Sequence, residues 1–284
     1  MERHRTGERS VDDPIEPRGH ALRPEEFDQL PAHLDPRRDA WRPAIRPLPP
    51  GRAVAAIGDV HGHAGLLAAL HRLIAAEFAA LPAGTECTLI HLGDLVDRGP
   101  ENRRALALAR DGIPGAETIT LLGNHDDRML SVLDDAADRT GLEFWLTYGG
   151  DTVLAECGVT DILHGDWRAA VRAAIGPGLL DWLRGCPVSH RIGDLLFVHA
   201  GIDPKRPLAE QERETLLWIR RPFLDWPGAF PENVAVIHGH TPVDRLDLDH
   251  PHRIDVDTGA FATGCLSAVL IHGDRMRGLR VWEL

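Results

Sequence analysis

Lysine is almost missing from this chain. Lys205 is the only one, and arginine carries nearly all of the positive charge. That skew reads as coding bias rather than function. No apolar run approaches the roughly 20 residues a helix needs to cross a bilayer. The N-terminus, MERHRTGERSVDDP, lacks the apolar core of a secretory signal, so the expected compartment is the cytoplasm. Cysteine is scarce too. Cys87, Cys157, Cys186 and Cys265 stand apart without CxxC spacing, which argues for reduced, buried thiols and against a disulfide framework. There is no excess of basic charge, because the formal net charge is −12. A nucleic-acid binder normally presents a basic face, so neither nucleic acid nor a membrane is expected as a partner. No internal repeat is visible.

What is present suits a globular chain rich in turns. Of 284 residues, 43% are hydrophobic, enough for a sizeable core, and there are 28 Gly and 21 Pro. Residues 1–50 are rich in Pro, Arg, Asp and Glu with little periodicity, and are expected to form an extended or partly disordered arm. The arm could pack back through Phe27, Leu30, Leu34 and Trp41. From residue 51 onward, apolar runs alternate with helical stretches, which predicts one α/β domain over 51–284. Strands are predicted at Ala53–Gly58, Thr88–Leu92, Thr118–Leu122, Leu195–His199, Val234–His238, Arg253–Asp257, Leu266–His272 and Leu279–Glu283. Helices are predicted at Ala64–Ala80, where Leu66, Leu67, Leu70, Leu73 and Ile74 recur at helical spacing, and at Arg103–Arg110. Residues 127–187 read as mostly helical (Met129–Ala137, Leu142–Leu146, Trp167–Ala174, Leu179–Leu183). They interrupt the strand–helix rhythm as a cap would.

The informative pattern is where the polar residues fall. Strand after strand ends in a ligand-type residue beside glycine: GDVHG (58–62), GDLVDRG (93–99), GNHD (123–126), VHAG (198–201) and HGHT (238–241). Ligands of open α/β sheets bind beyond the carboxyl ends of strands, so five such ends can build one polar site. Asp, His and Asn without thiolate suit Mn, Fe or Zn in a mixed oxygen and nitrogen shell. There are donors enough for two ions. Asp59 and His61 would hold one ion, Asn124, His199 and His240 the other, and Asp94 would bridge them. Two cations about 3.5–4 Å apart can clamp a phosphoryl group for in-line displacement. With so acidic a chain, positive charge for a phosphate has to come from metal and a few arginines.

These signatures, in this order and with LLWIR (216–220) and DTG (257–259) after them, resemble the bacterial branch of the PPP-type serine/threonine protein phosphatases, within the calcineurin-like metallophosphoesterases. The resemblance spans Gly58 to Gly259. It implies two packed mixed β-sheets flanked by helices, with a helical cap insertion. It implies two divalent metal ions, Mn²⁺ ahead of Fe or Zn, on Asp59, His61, Asp94, Asn124, His199 and His240. It also implies attack on a phosphomonoester by a metal-bridging hydroxide, with His125 as general acid and Asp97 as the partner that orients it. Arg98 corresponds to an arginine that binds phosphate oxygens, and either Arg220 or its neighbour Arg221 to a second.

The expected activity is therefore serine/threonine protein phosphatase, acting on a phosphoprotein or a small phosphorylated substrate. The alternative is a symmetrical dinucleoside tetraphosphate hydrolase, which would need cationic or aromatic contacts for nucleosides in the cap. Two residues pull in opposite directions. Asp126 closes GNHD as is common in diadenosine tetraphosphatases, where protein phosphatases of this type commonly carry Glu. Asp97 stands where those hydrolases commonly carry Ala. A non-catalytic module on a degenerate form of the same frame would have lost ligands or the acid, and all of them are here. His63, His91, His164, His190, His238, His250, His252 and His272 carry no motif and are expected in solvated or core roles. Thr241 is expected to support the His240 loop, and Asp257 to support the site or shape a turn. Trp145, Trp167, Trp182, Trp218 and Trp226 are expected in packing, and Tyr148-Gly149-Gly150 in a turn.

Overall fold

In the computed structural model, residues 33–135 and 138–284 are described. Among the described residues, eleven strands form two mixed sheets, with helices on the outer faces. The strands are β1 (Leu34–Arg38), β2 (Arg42–Pro43), β3 (Arg52–Ile57), β4 (Glu86–His91), β5 (Glu117–Thr120), β6 (Ser189–Ile192), β7 (Leu195–Val198), β8 (Ala235–His238), β9 (Arg253–Asp255), β10 (Cys265–His272) and β11 (Arg275–Glu283). The first sheet runs β1-β11-β10-β3-β4-β5, with β2 also on β11, and the second runs β6-β7-β8-β9. β3, β4 and β5 are mutually parallel, as are β7, β8 and β9.

Alternation along β3 shows how the layers are built. Side chains of a strand point to opposite faces in turn. Val54 and Ala56 therefore enter the core between the sheets, beside Ile90, Phe197, Ile237 and Ile254. Ala55 and Ile57 face the other way, into the core under α1 (Ala64–Ala79) and α2 (Asn102–Asp111). Because both faces are covered, β3 and β4 read as apolar runs rather than as an alternating pattern.

The chain between β5 and β6 is mostly helical: α3 (Asn124–Asp134), α4 (Arg139–Trp145), a kinked turn at Leu146–Gly150, α5 (Asp151–Glu156), α6 (Trp167–Ile175) and α7 (Pro177–Arg184). Two short helices follow, α8 (Arg213–Trp218) and α9 (Ala260–Thr263).

Eight predicted strands appear, shifted by a few residues. Three others were not foreseen. β1 contains Pro36, β2 is two residues long, and β6 is the polar stretch SHRI, so none shows an apolar alternation. Residues 34–38 and 42–43 of the expected arm are extended and pair with β11 in the first sheet. Leu34 joins the core and Trp41 packs on it. Phe27 and Leu30 lie outside the described residues. The four cysteines are free. Among the described residues, no helix is long and apolar enough to cross a membrane.

Candidate metal centre and active site

The loops that leave β3, β4, β7 and β8, together with the start of α3, meet at one place. Five residues in them have left-handed backbones: His61 (φ +46°), Asp94 (+51°), Asp97 (+73°), Arg98 (+70°) and His240 (+69°). Such geometry is uncommon outside glycine and turns a side chain back towards the strand ends.

Asp94 sits at the middle. Its Oδ1 accepts from the backbone N–H of His125 at 2.9 Å and lies 3.4 Å from His199 Nε2, while Oδ2 is 3.7 Å from His61 Nε2. Asn124 Oδ1 is 2.8 Å from both His199 Nε2 and His240 Nδ1. Ligating atoms converge in two groups that share Asp94: His61, Asp94 and His125, and Asp94, His199 and His240. Asp59 lies beside these groups rather than in either. Both of its carboxylate oxygens are 3.2 Å from the backbone N of His240.

The donor chemistry fits divalent metal. His61 Nδ1–H donates to Val96 O and His199 Nδ1–H to Leu92 O, each at 2.9 Å. That fixes the tautomer and leaves Nε2 as a lone pair aimed at the cluster. His199 Nε2 then faces Asn124 Oδ1 and Asp94 Oδ1; burial lowers the ring's pKa, but the Asp94 charge outweighs it and raises it, so a proton or a bound cation satisfies these atoms. Asp59 points the same way. Burial, then the charges of Asp257 and Asp94, push Asp59 well above its ordinary value. A bound cation relieves that repulsion. Burial lowers His61 well below its usual range and His240 to about 3, so both are neutral, as metal ligands must be.

Beside this cluster lies a buried His–Asp pair. His125 Nδ1–H donates to Asp97 Oδ2 at 2.7 Å. Burial alone would lower the His125 pKa, but the Asp94 charge and the Asp97 hydrogen bond outweigh it and raise it. Arg98 Nη2 donates to His125 Nε2 at 3.0 Å.

The site opens into a cavity of about 210 Å³ lined by His61, Asp94, Arg98, Asn124, His125, Phe144, Tyr148, Trp218, Arg220 and His240. Arg220 lines it, whereas Arg221 points to Asp225 at 2.7 Å. Trp218, expected only in packing, forms part of the wall. Tyr148 is 48% exposed and stacks on Phe144, with centroids 4.3 Å apart. Phe261 supports the site from α9, lying 4.2 Å from the Arg98 guanidinium and edge-on to His61.

Other residues fall around this frame. Asp257 is buried and accepts from Gly259 N at 2.8 Å, so it shapes its own turn beside Asp59. Thr241 Oγ1 is buried and has no hydrogen-bond partner among the described residues. Sequence reading used Asp126 only to weigh the substrate and gave it no structural role. Its carboxylate accepts from Leu95 N and Gly123 N at 3.0 Å and from Val96 N at 3.3 Å, tying two motif loops together. Its place in GNHD was the available signal. Phe144 and Phe261 had none.

The sequence model of the calcineurin-like phosphoesterases matches residues 53–262. The chain belongs to that family. Among relatives of this family member, a symmetrical bis(5'-nucleosyl)-tetraphosphatase of Methylococcus capsulatus is 36% identical over 153 residues, 54% of this chain and 44% of the relative. Serine/threonine-protein phosphatase 1 of Salmonella typhimurium is 29% identical over 225 residues, 78% of this chain and 92% of the relative. The chain spans about half the length of the nucleosyl-tetraphosphatases it matches first. A crystal structure provisionally named a diadenosine tetraphosphatase superposes with a TM-score of 0.54 at 22% identity, over 82% of this chain and 95% of the other, which bears on the fold alone.

Proposed function

We propose that this chain is a metal-dependent phosphoesterase that hydrolyses dinucleoside polyphosphates of the diadenosine tetraphosphate class. The observation that carries the substrate class is the aromatic wall of Phe144, Tyr148 and Trp218 beside Arg98 and Arg220 in one cavity. Aromatic faces stack bases, and arginine forks take phosphate oxygens in pairs. The likeness to nucleosyl-tetraphosphatases supports the same reading.

Asp59, His61, Asp94, Asn124, His199 and His240 would hold two divalent ions. When bound, the ions would supply Lewis acidity for the phosphoryl group under attack and a nucleophile at neutral pH. The chain's own residues do the rest. Arg98 and Arg220 grip the phosphate oxygens. Arg98 now donates to His125 Nε2, so a phosphate that engages Arg98 frees that nitrogen to carry a proton. Asp97 holds the other ring nitrogen and stabilises the imidazolium. His125 then delivers the proton to the leaving oxygen.

Protein phosphatase is the second reading. It is favoured by the presence of Asp97 in the acid pair and by the alignment over most of the Salmonella phosphatase. Competition between diadenosine tetraphosphate and a phosphoserine peptide, with Mn²⁺ present, separates the two. The dinucleotide is expected to have the higher kcat/KM, and Tyr148→Ala to raise its KM about tenfold, in line with the roughly 1–3 kcal/mol of one stacked base. A preference for the peptide, with Tyr148→Ala silent, would move the assignment to protein phosphatase.

A further inference from the structure

Trp145 ends α4, where the chain enters the kinked turn Leu146–Gly150. Its indole is 1% exposed. The one polar atom of the ring, Nε1, donates to Asp97 Oδ1 at 2.9 Å. The other oxygen of that carboxylate accepts from His125. The two glycines that follow make room for this arrangement. Gly149 has φ +109°, and a Cβ on it would come within 2.6 Å of Arg98 Cγ. A Cβ on Gly150 would come within 2.3–2.6 Å of the Trp145 ring. The Gly149 carbonyl also accepts from Arg98 N at 3.0 Å. The indole stacks on Trp167 of α6 with centroids 6.1 Å apart.

We propose that Trp145 is a positioning residue for the acid pair: its indole N–H fixes the Asp97 carboxylate, and through it the His125 ring, while Gly149 and Gly150 form the turn that lets the indole and Arg98 sit where they do. The inference rests on the acid role given to His125 above. A carboxylate with one donor can rotate about its Cβ–Cγ bond and meet the imidazole in several geometries. Two directed donors, one on each oxygen, leave a single orientation. Burial pushes the Asp97 pKa up, and the hydrogen bonds from His125 and Trp145 oppose that rise. Trp145 thereby reaches the reaction without touching substrate.

A general acid matters in proportion to how poor the leaving group is. The test compares kcat and KM for phenyl phosphate and 2,4-dinitrophenyl phosphate at saturating Mn²⁺. In Trp145→Phe, which keeps an aromatic ring beside Trp167 but loses the N–H, kcat for phenyl phosphate is expected to fall about tenfold, part of the roughly 10²–10⁴-fold worth of a positioned acid. KM should hold, and the dinitrophenyl ester should change by less than about twofold, since it needs no acid. Gly150→Ala, which displaces the indole, should reproduce the split, and Asp97→Asn should deepen it. Equal losses on both esters in Trp145→Phe, or no loss, beside a deep split in Asp97→Asn, would overturn the role of Trp145. An Asp97→Asn variant with no split would overturn the acid pair itself and this inference with it.

Discussion

Asp94 has more of the site's geometry resting on it than any neighbour does. It belongs to both ligand groups, and its backbone is left-handed. Asp94→Asn keeps the shape and removes the charge. Loss of a group that merely orients a ligand costs about 10–100-fold in metal affinity or activity. Removal of the shared carboxylate is expected to cost at least that, measured as metal bound per chain after dialysis. A second prediction concerns His71 and His91, buried with Nε2 atoms 2.8 Å apart. Burial lowers His71 to about 3 and His91 well below its usual range. Both are neutral when folded and take up protons more readily when unfolded. Their stabilisation is therefore complete above about pH 6.5 and is lost as pH falls towards the folded value, at about 1.4 kcal/mol per pH unit for each group. Between pH 7 and 5, the Tm of the wild type should fall further than that of His71→Gln; parallel falls would clear the pair of responsibility. The ligand-type residues were legible because five motifs in order constrain one another. Trp145 was not, because its bond to Asp97 joins positions far apart in sequence and exists only after the cap has folded.

At the scale of elements, α3 shows where sequence pattern stops. Its first turn is the motif itself, Asn124-His125-Asp126, so apolar periodicity begins only at Met129 and the predicted start came late. Asp126 secures that turn by accepting three backbone N–H groups. Asp126→Ala would leave those buried donors unsatisfied, each at a cost of roughly 1–3 kcal/mol. A loss of about 3 kcal/mol in urea unfolding is expected, and a change below about 0.5 kcal/mol, the usual range of a surface substitution, would contradict the role. The edge strands were illegible for another reason. β1 carries charge and a proline and β6 is mostly polar with one arginine, as edges are to avoid pairing with other chains, and those residues erase the alternation by which strands are recognised.

For the whole molecule, two parallel strand triplets, one in each sheet, face each other across an apolar core and bring their motif loops together. The central strands were legible as apolar runs, and the convergence of their ends followed from the rule for open sheets. The substrate was not legible, because it depends on side chains that the cap and α8 bring to the cavity from far along the chain. With an acidic balance of −12, bound cations would have to supply much of the charge that a phosphate ester needs. The most direct test is to strip the protein with chelator and titrate Mn²⁺ back while following hydrolysis of diadenosine tetraphosphate. Activity is expected to return and saturate at about two ions per chain, and to stay low throughout in Asp94→Asn. Full activity in the stripped protein, or equal recovery in the variant, would contradict a metal-dependent site built on these residues.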